Sequence, residues 1–84
     1  MKPVRVYTTS YCSYCRAAKA LLERKGVSYE EIDVTEDDAA REDLTRRSGQ
    51  RTVPQIWIGE THVGGFSDLD ALEREGKLDP LLRD

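Results

Sequence analysis

Cys12 and Cys15, the only two cysteines of this 84-residue chain, lie three positions apart in the stretch SYCSYCRAA. Thiols at that spacing can supply half of a metal site, sit inert in a core, or exchange with disulfides. Zinc asks for about four protein ligands, and beyond the cysteines the sequence offers only His62, far along the chain. A permanent Cys12–Cys15 bridge would close too short a loop to restrict the unfolded chain much. Exchange suits the spacing better. A thiolate attacks a disulfide sulfur, a mixed disulfide forms, and a second thiol three residues away can reach it without chain movement. A pair of inert core thiols is the competing reading.

Such a pair needs a scaffold that distinguishes its two members. PVRVYT alternates Val4 and Val6 with Arg5 and Tyr7, which predicts a strand over roughly residues 3–8. RAAKALLERKG then places Ala17, Ala18, Leu21 and Leu22 at helical spacing and ends on Gly26, so a helix is expected to begin near Ser13. Cys12 falls at that junction. Unpaired N–H groups of the first turn, expected from Tyr14 and Cys15, and the positive end of the macrodipole favour a thiolate there. The dipole alone is worth up to ~2 kcal/mol. Cys15, one turn further in, is expected to be more buried and to remain an ordinary thiol, so Cys12 attacks and Cys15 resolves.

The remaining elements follow from the same patterns. VSYEEIDV predicts a second strand over residues 27–34, although its alternation slips at Glu30 and Glu31. TEDDAAREDLTRRSG predicts a second helix, with Thr35 and Asp38 at capping-box spacing and Arg46 and Arg47 at its basic end. TVPQIWIGETHVGG reads as two strands about a Gly59-Glu60 turn, with Ile56 and Ile58 on one face and Gln55 and Trp57 on the other. Ser67 and Asp70 repeat the capping-box spacing, which predicts a third helix over about 67–76. Leu78, Leu81 and Leu82 in the tail are expected to tuck against it. Two βα units followed by a hairpin imply parallel strands joined by crossovers, plus an antiparallel edge.

Composition limits the partners. A chain of 84 residues is expected to be one domain, residues 1–84, because domains commonly run to ~100–150 residues. Hydrophobic residues make up 38% and charged residues 35%, the balance of a soluble globular protein. The net charge of −3 and scattered basic residues give no electrostatic case for nucleic acid or an anionic membrane. No apolar stretch approaches the ~20 residues of a membrane span, and MKPVRVYTT lacks the apolar core of a secretory signal. A cytoplasmic location is therefore expected, where a structural disulfide is disfavoured.

Taken together, YCSYC after the first strand, TVPQIWI in the third and GGFSDL opening the last helix resemble the glutaredoxins, closest to the short bacterial dithiol type. The likeness covers nearly the whole chain. It implies an α/β, thioredoxin-like fold: a four-stranded mixed sheet flanked by three helices in the order βαβαββα. It implies glutathione as co-substrate, glutathionylated or disulfide-containing proteins as partners, and a monomer. It also implies that the bond before Pro54 is cis, so that Thr52, Val53 and Pro54 present the Val53 N–H and C=O toward Cys12, where glutathione's backbone can pair with them. Without the family, Pro54 reads as an ordinary strand-initiating proline.

Gly64 and Gly65 lead onto a helix N-terminus, a ready anion site. In the family this end holds the γ-glutamyl carboxylate through backbone at Ser67 and Asp68, while the Asp68 carboxylate faces the ammonium group. Tyr14 matches the aromatic of the active-site loop. The chain departs from the family at two points. Thr9 and Ser10 stand where a lysine often precedes the first cysteine, which leaves Arg51, or else Arg16, to take the glycine carboxylate. Ser13 stands where proline is commonest, and similar serine-containing members bridge a [2Fe-2S] cluster between two subunits through the first cysteine, here Cys12, and glutathione thiols. A redoxin served by thioredoxin reductase is the further rival.

Overall fold

The computed structural model describes residues 1–83 and opens with strand β1 (Val4–Thr8), whose Val4 and Val6 are buried as their alternation requires. Helix α1 (Ser13–Arg24) buries Cys15, Ala18, Leu21 and Leu22, residues that recur at three- and four-residue spacing along one stripe. It stops at Lys25 because Gly26 takes φ +69°, a left-handed conformation open to glycine, and returns the chain through a Val27 N–H bond to the Leu22 carbonyl. Strand β2 (Glu30–Asp33) is shorter than the alternation of residues 27–34 suggests. Val27 and Val34 are both buried, but they flank the strand rather than belong to it.

Helix α2 (Asp38–Ser48) is capped by Asp37, whose carboxylate accepts the Ala40 N–H at 3.0 Å. Thr35, the residue expected to cap it, is engaged elsewhere. Its hydroxyl accepts the Ser10 N–H at 2.8 Å and donates to Asp33, tying the loop after β2 to the loop that carries the cysteines. Strands β3 (Gln55–Ile58) and β4 (Thr61–Gly64) form the hairpin about Gly59 and Glu60.

Helix α3 (Phe66–Arg74) starts earlier than the Ser67–Asp70 pattern predicts. Gly65 is its N-cap residue and Asp68 the acid that closes it, while Asp70 pairs with Arg74 one turn on. The tail adds a fourth helix, α4 (Leu78–Leu82), absent from the predicted order. Its Leu78 and Leu82, four apart, reach 0% and 2% exposure, and Pro80 sits in the first turn, where no N–H is required.

The sheet runs β2-β1-β3-β4, with β1 and β2 parallel and the other pairs antiparallel, which is the mixed thioredoxin-like arrangement the fold reading predicts. Val4, Val6, Ile56 and Ile58 pack on one face against α1, α3 and α4. The Lys25 ammonium joins these helices by bridging Glu73 and Asp79 at 2.8 Å each. On the other face Tyr7, Trp57, Val34 and Leu44 form a smaller cluster under α2, with the Arg47 guanidinium 5.1 Å above both aromatic rings. The C-terminal end of β1, the N-terminus of α1 and the loop before β3 therefore converge at one edge.

Candidate active site

Cys12 is the N-cap residue of α1. Its backbone is extended (φ −99°, ψ 113°), which swings the sulfur over the open first turn, where it accepts the Cys15 N–H at 3.2 Å. That amide is one of the orphan donors every helix start leaves, and here a sulfur rather than an oxygen satisfies it. The Tyr14 N–H, expected as a second donor, makes no bond to the sulfur. The thiol proton of Cys12 points to the Val53 carbonyl, 3.4 Å away, and the side chain is partly exposed.

Cys15 differs in every respect. It is 1% exposed, and burial, followed by its hydrogen bond to Cys12, pushes its thiol up to about 12, against weaker pulls from the Thr9 backbone and the Lys19 ammonium. Sequence placed Cys15 inside the helix correctly but took its thiol for an ordinary one. The pair is thus asymmetric: a partly exposed sulfur that accepts the Cys15 N–H, and a buried sulfur held in its neutral form at physiological pH.

The Val53–Pro54 peptide bond is cis, Pro54 is buried, and the Val53 N–H has no partner among the described residues. Opposite it, Gly64 takes φ +116°, and a Cβ built there would lie 2.4 Å from Asp68 Oδ2. The Asp68 carboxylate needs that space because it accepts the Gly65 N–H at 3.0 Å and so closes the start of α3. A Cβ at Gly65 would in turn sit 3.5 Å from the Pro54 carbonyl, so the two loops abut. The Ser67 and Asp68 N–H groups at the start of α3 bond nothing among the described residues, which leaves an electropositive helix end next to the cis loop.

Tyr14 is 65% exposed and stacks on Phe66, with ring centroids 6.2 Å apart, which links the cysteine loop to α3. Thr52 is exposed beside Val53, and its carbonyl and hydroxyl both face the Gln55 amide. Arg51 directly precedes Thr52 in the chain and is exposed. It lines a groove of about 870 Å³ along α2 with Arg41, Thr45 and Arg46, a groove that includes neither cysteine. Arg16 is an exposed first-turn residue of α1.

Two contributors escaped sequence reasoning. Phe66 supports Tyr14, and Gln55 is a fully buried amide at the start of β3. Gln55 carried a signal, since a polar residue opening the apolar run IWI is unusual for an inward position. Among the described residues no three His, Cys, Asp or Glu side chains converge as metal ligands, and no helix is long and apolar enough to cross a membrane.

Comparison with known proteins agrees with this geometry. The sequence model of the family described as Glutaredoxin matches residues 4–63. A glutaredoxin of Pseudomonas aeruginosa is 60% identical over 82 residues, covering 98% of each chain, and glutaredoxin 3 of Escherichia coli K12 is 51% identical over 83, covering 99% of this chain and all of that one. Among solved structures, a buckwheat glutaredoxin–glutathione complex superimposes with a TM-score of 0.91 at 37% identity, over 96% of this chain and 76% of that one. Identity this high along the whole length, on a fold that brings a Cys-x-x-Cys pair to a helix start, means that the chain belongs to the glutaredoxin family of thiol-disulfide oxidoreductases.

Proposed function

We propose that residues 1–84 act as one domain that reduces protein–glutathione mixed disulfides and protein disulfides at the expense of glutathione, in the cytoplasm. Cys12 is the nucleophile. Its thiolate attacks the glutathione sulfur of a protein mixed disulfide, the Cys12–glutathione bond forms, and the protein leaves as a thiolate that takes up a proton. A second glutathione thiolate then attacks the bound glutathione sulfur, releasing oxidised glutathione and restoring the Cys12 thiolate. With a protein disulfide the first attack leaves the protein tethered to Cys12. Cys15 loses its proton, attacks the Cys12 sulfur and frees the protein dithiol, and two glutathiones reduce the resulting Cys12–Cys15 disulfide.

The observation that carries this reading is the pairing at Cys12: its sulfur accepts the Cys15 N–H while its proton rests on the Val53 carbonyl. Ionisation strengthens the first bond and breaks the second. The Val53 carbonyl and the unpartnered Val53 N–H then become available together to an extended peptide, as in strand addition. The open N–H groups of Ser67 and Asp68 suit a carboxylate at the far end of that peptide. Gly65 keeps the two loops in contact, Thr52 and Pro54 hold Val53 in place, and Tyr14 flanks the reacting sulfur. Arg51, on the α2 side, is the cation offered to the glycine carboxylate. Glutathione named in a homologue's complex adds support, since that homologue covers 96% of this chain.

Turnover on a glutathionylated protein with glutathione and glutathione reductase tests the proposal. Saturable activity is the expected result. Activity that needs thioredoxin reductase and ignores glutathione would identify a different redoxin.

A second reading draws on Ser13, which is exposed at the first helical position where a proline ring would stiffen the loop. A partly exposed Cys12 beside such a loop can supply one thiolate to a [2Fe-2S] cluster, the other ligands coming from a second copy and two glutathione thiols. Anaerobic reconstitution with iron, sulfide and glutathione gives a coloured dimer on this reading and a colourless monomer otherwise.

A further inference from the structure

Among the described residues Gln55 is the one fully buried side-chain amide, and its partners lie on Thr52, Gln50 and His62. Its Nε2 faces the Thr52 carbonyl at 3.0 Å, the Thr52 hydroxyl at 3.3 Å and Gln50 Oε1 at 2.8 Å. A carbonyl cannot donate, so this end of the amide must be the NH₂, and Oε1 must face His62 Nε2, 2.7 Å away on β4. His62 therefore donates through Nε2. Its ring cannot turn away, because it lies against Trp57 with centroids 4.5 Å apart, and Trp57 is held in turn by Tyr7, edge-on at 5.4 Å, and by the Arg47 guanidinium.

We infer that His62 and Gln55 are positioning residues that hold the Thr52–Pro54 loop at the height needed for the Val53 backbone to receive glutathione. This rests on the reading of Val53 given under Proposed function. The residues just before Val53 run exposed from α2 into β3, and Gln55 is what ties Thr52 down. Removing the His62 donor leaves the Oε1 of a fully buried side chain unpaired. The amide can recover a partner only by rotating, and rotation would set its oxygen against the Thr52 carbonyl. Val53 would then shift relative to Cys12 and α3, while neither sulfur would change its own contacts with α1.

The test measures KM and kcat for a glutathionylated peptide in the full chain, for His62→Phe, His62→Gln, Gln55→Met and the His62→Phe/Gln55→Met double variant. His62→Phe keeps a ring against Trp57 and loses the donor. His62→Gln places an amide N–H near the former Nε2. A lost bond to a buried carbonyl predicts a rise in KM of about five- to thirtyfold for His62→Phe and for Gln55→Met, with kcat within about twofold of wild type and the alkylation rate of Cys12 not reduced, because moving the Val53 carbonyl away from the Cys12 thiol takes an acceptor from its protonated form alone. His62→Gln should recover most of the loss, and the double variant should be no worse than Gln55→Met because both act through one chain of bonds.

An unchanged KM in either folded single variant overturns the inference. So does a parallel loss of kcat and Cys12 reactivity, or a His62→Gln variant as impaired as His62→Phe. Should one single variant fail to fold, the other decides on the same readings. Failure of the wild type to saturate with the glutathionylated peptide would instead refute the glutathione reading itself, a result distinguishable from all of these.

Discussion

Cys15 should react with an alkylating reagent only as fast as its small ionised fraction permits. In a Cys12→Ser background its burial, the largest cause of the shift that pushes the thiol up to about 12, is retained. At that value the ionised fraction at pH 7.5 is on the order of 3 in 100,000, against roughly 1 in 10 for an ordinary cysteine near ~8.5; because Cys12→Ser removes the smaller raising contributions of the Cys12 bond and charge, alkylation by iodoacetamide should be slower than for an unburied cysteine by at most ~3,000-fold. Burial also blocks the reagent sterically, and pH separates the two effects. Steric blocking alone gives a slow reaction that levels off near pH 9, once an ordinary thiol is ionised. Suppressed ionisation gives a rate that climbs about tenfold per pH unit without levelling up to about pH 10.5. Stability should follow the same window. The unfolded chain ionises Cys15 near ~8.5 while the fold retains the proton until about 12, so folding free energy falls as pH rises through that interval, and Cys15→Ala should flatten the fall. A plateau in the alkylation profile near pH 9 would refute the buried-thiol argument.

Gly64→Ala forces a side chain into a left-handed conformation and onto the Asp68 carboxylate, and the combined strain and lost cap should cost about 2–3 kcal/mol in thermal melts and weaken binding of glutathionylated substrate. An unshifted melting curve would mean that the Asp68 carboxylate does not crowd Gly64 as described. Leu22→Ala empties a site that is 0% exposed between α1 and the sheet and should cost ~2–5 kcal/mol in urea unfolding. Glu31 carries a carboxyl lowered by its bonds to the Lys19 ammonium and the Thr8 hydroxyl. A lowered carboxyl stabilises above its unfolded value of ~4.3 and loses that contribution as pH falls through the folded one. Glu31→Gln should thus cost under ~1 kcal/mol at pH 7, given its exposure, and nothing at pH 2. An equal cost at both pH values would point to packing rather than charge.

The strand–helix junction that carries Cys12 was readable because its signals are local: alternating valines, then alanines and leucines at helical spacing, with a small turn between. The caps were not, because capping depends on which of several suitable residues has no other bond to make. Thr35 and Asp37 both qualify by type, and a tertiary bond from Ser10 removes Thr35 from contention. Ser67 likewise has the right chemistry, but the bond from the Gly65 N–H to the Asp68 carboxylate starts α3 one residue earlier. Helix α4 was missed because five residues carry too little periodicity to register, although Leu78 and Leu82 proved fully committed to the core. At the site, the different surroundings of the two cysteines, one at the helix cap and one buried a turn further in, follow from helix geometry alone. The arrangement around Val53 joins segments distant in sequence, and only the resemblance to glutaredoxins pointed to it. Gln55 and His62, seven residues apart on paired strands, meet through a hairpin register that contains a bulge.

The division of labour between the two sulfurs is tested most directly by trapping intermediates on a glutathionylated protein and locating them by mass spectrometry. Cys15→Ser should accumulate one glutathione on Cys12, Cys12→Ser should accumulate none, and the wild type with a protein disulfide should end as a Cys12–Cys15 disulfide. Glutathione found on Cys15 in the Cys12→Ser variant, at a rate comparable to its capture by Cys12, would contradict the asymmetry on which the mechanism stands.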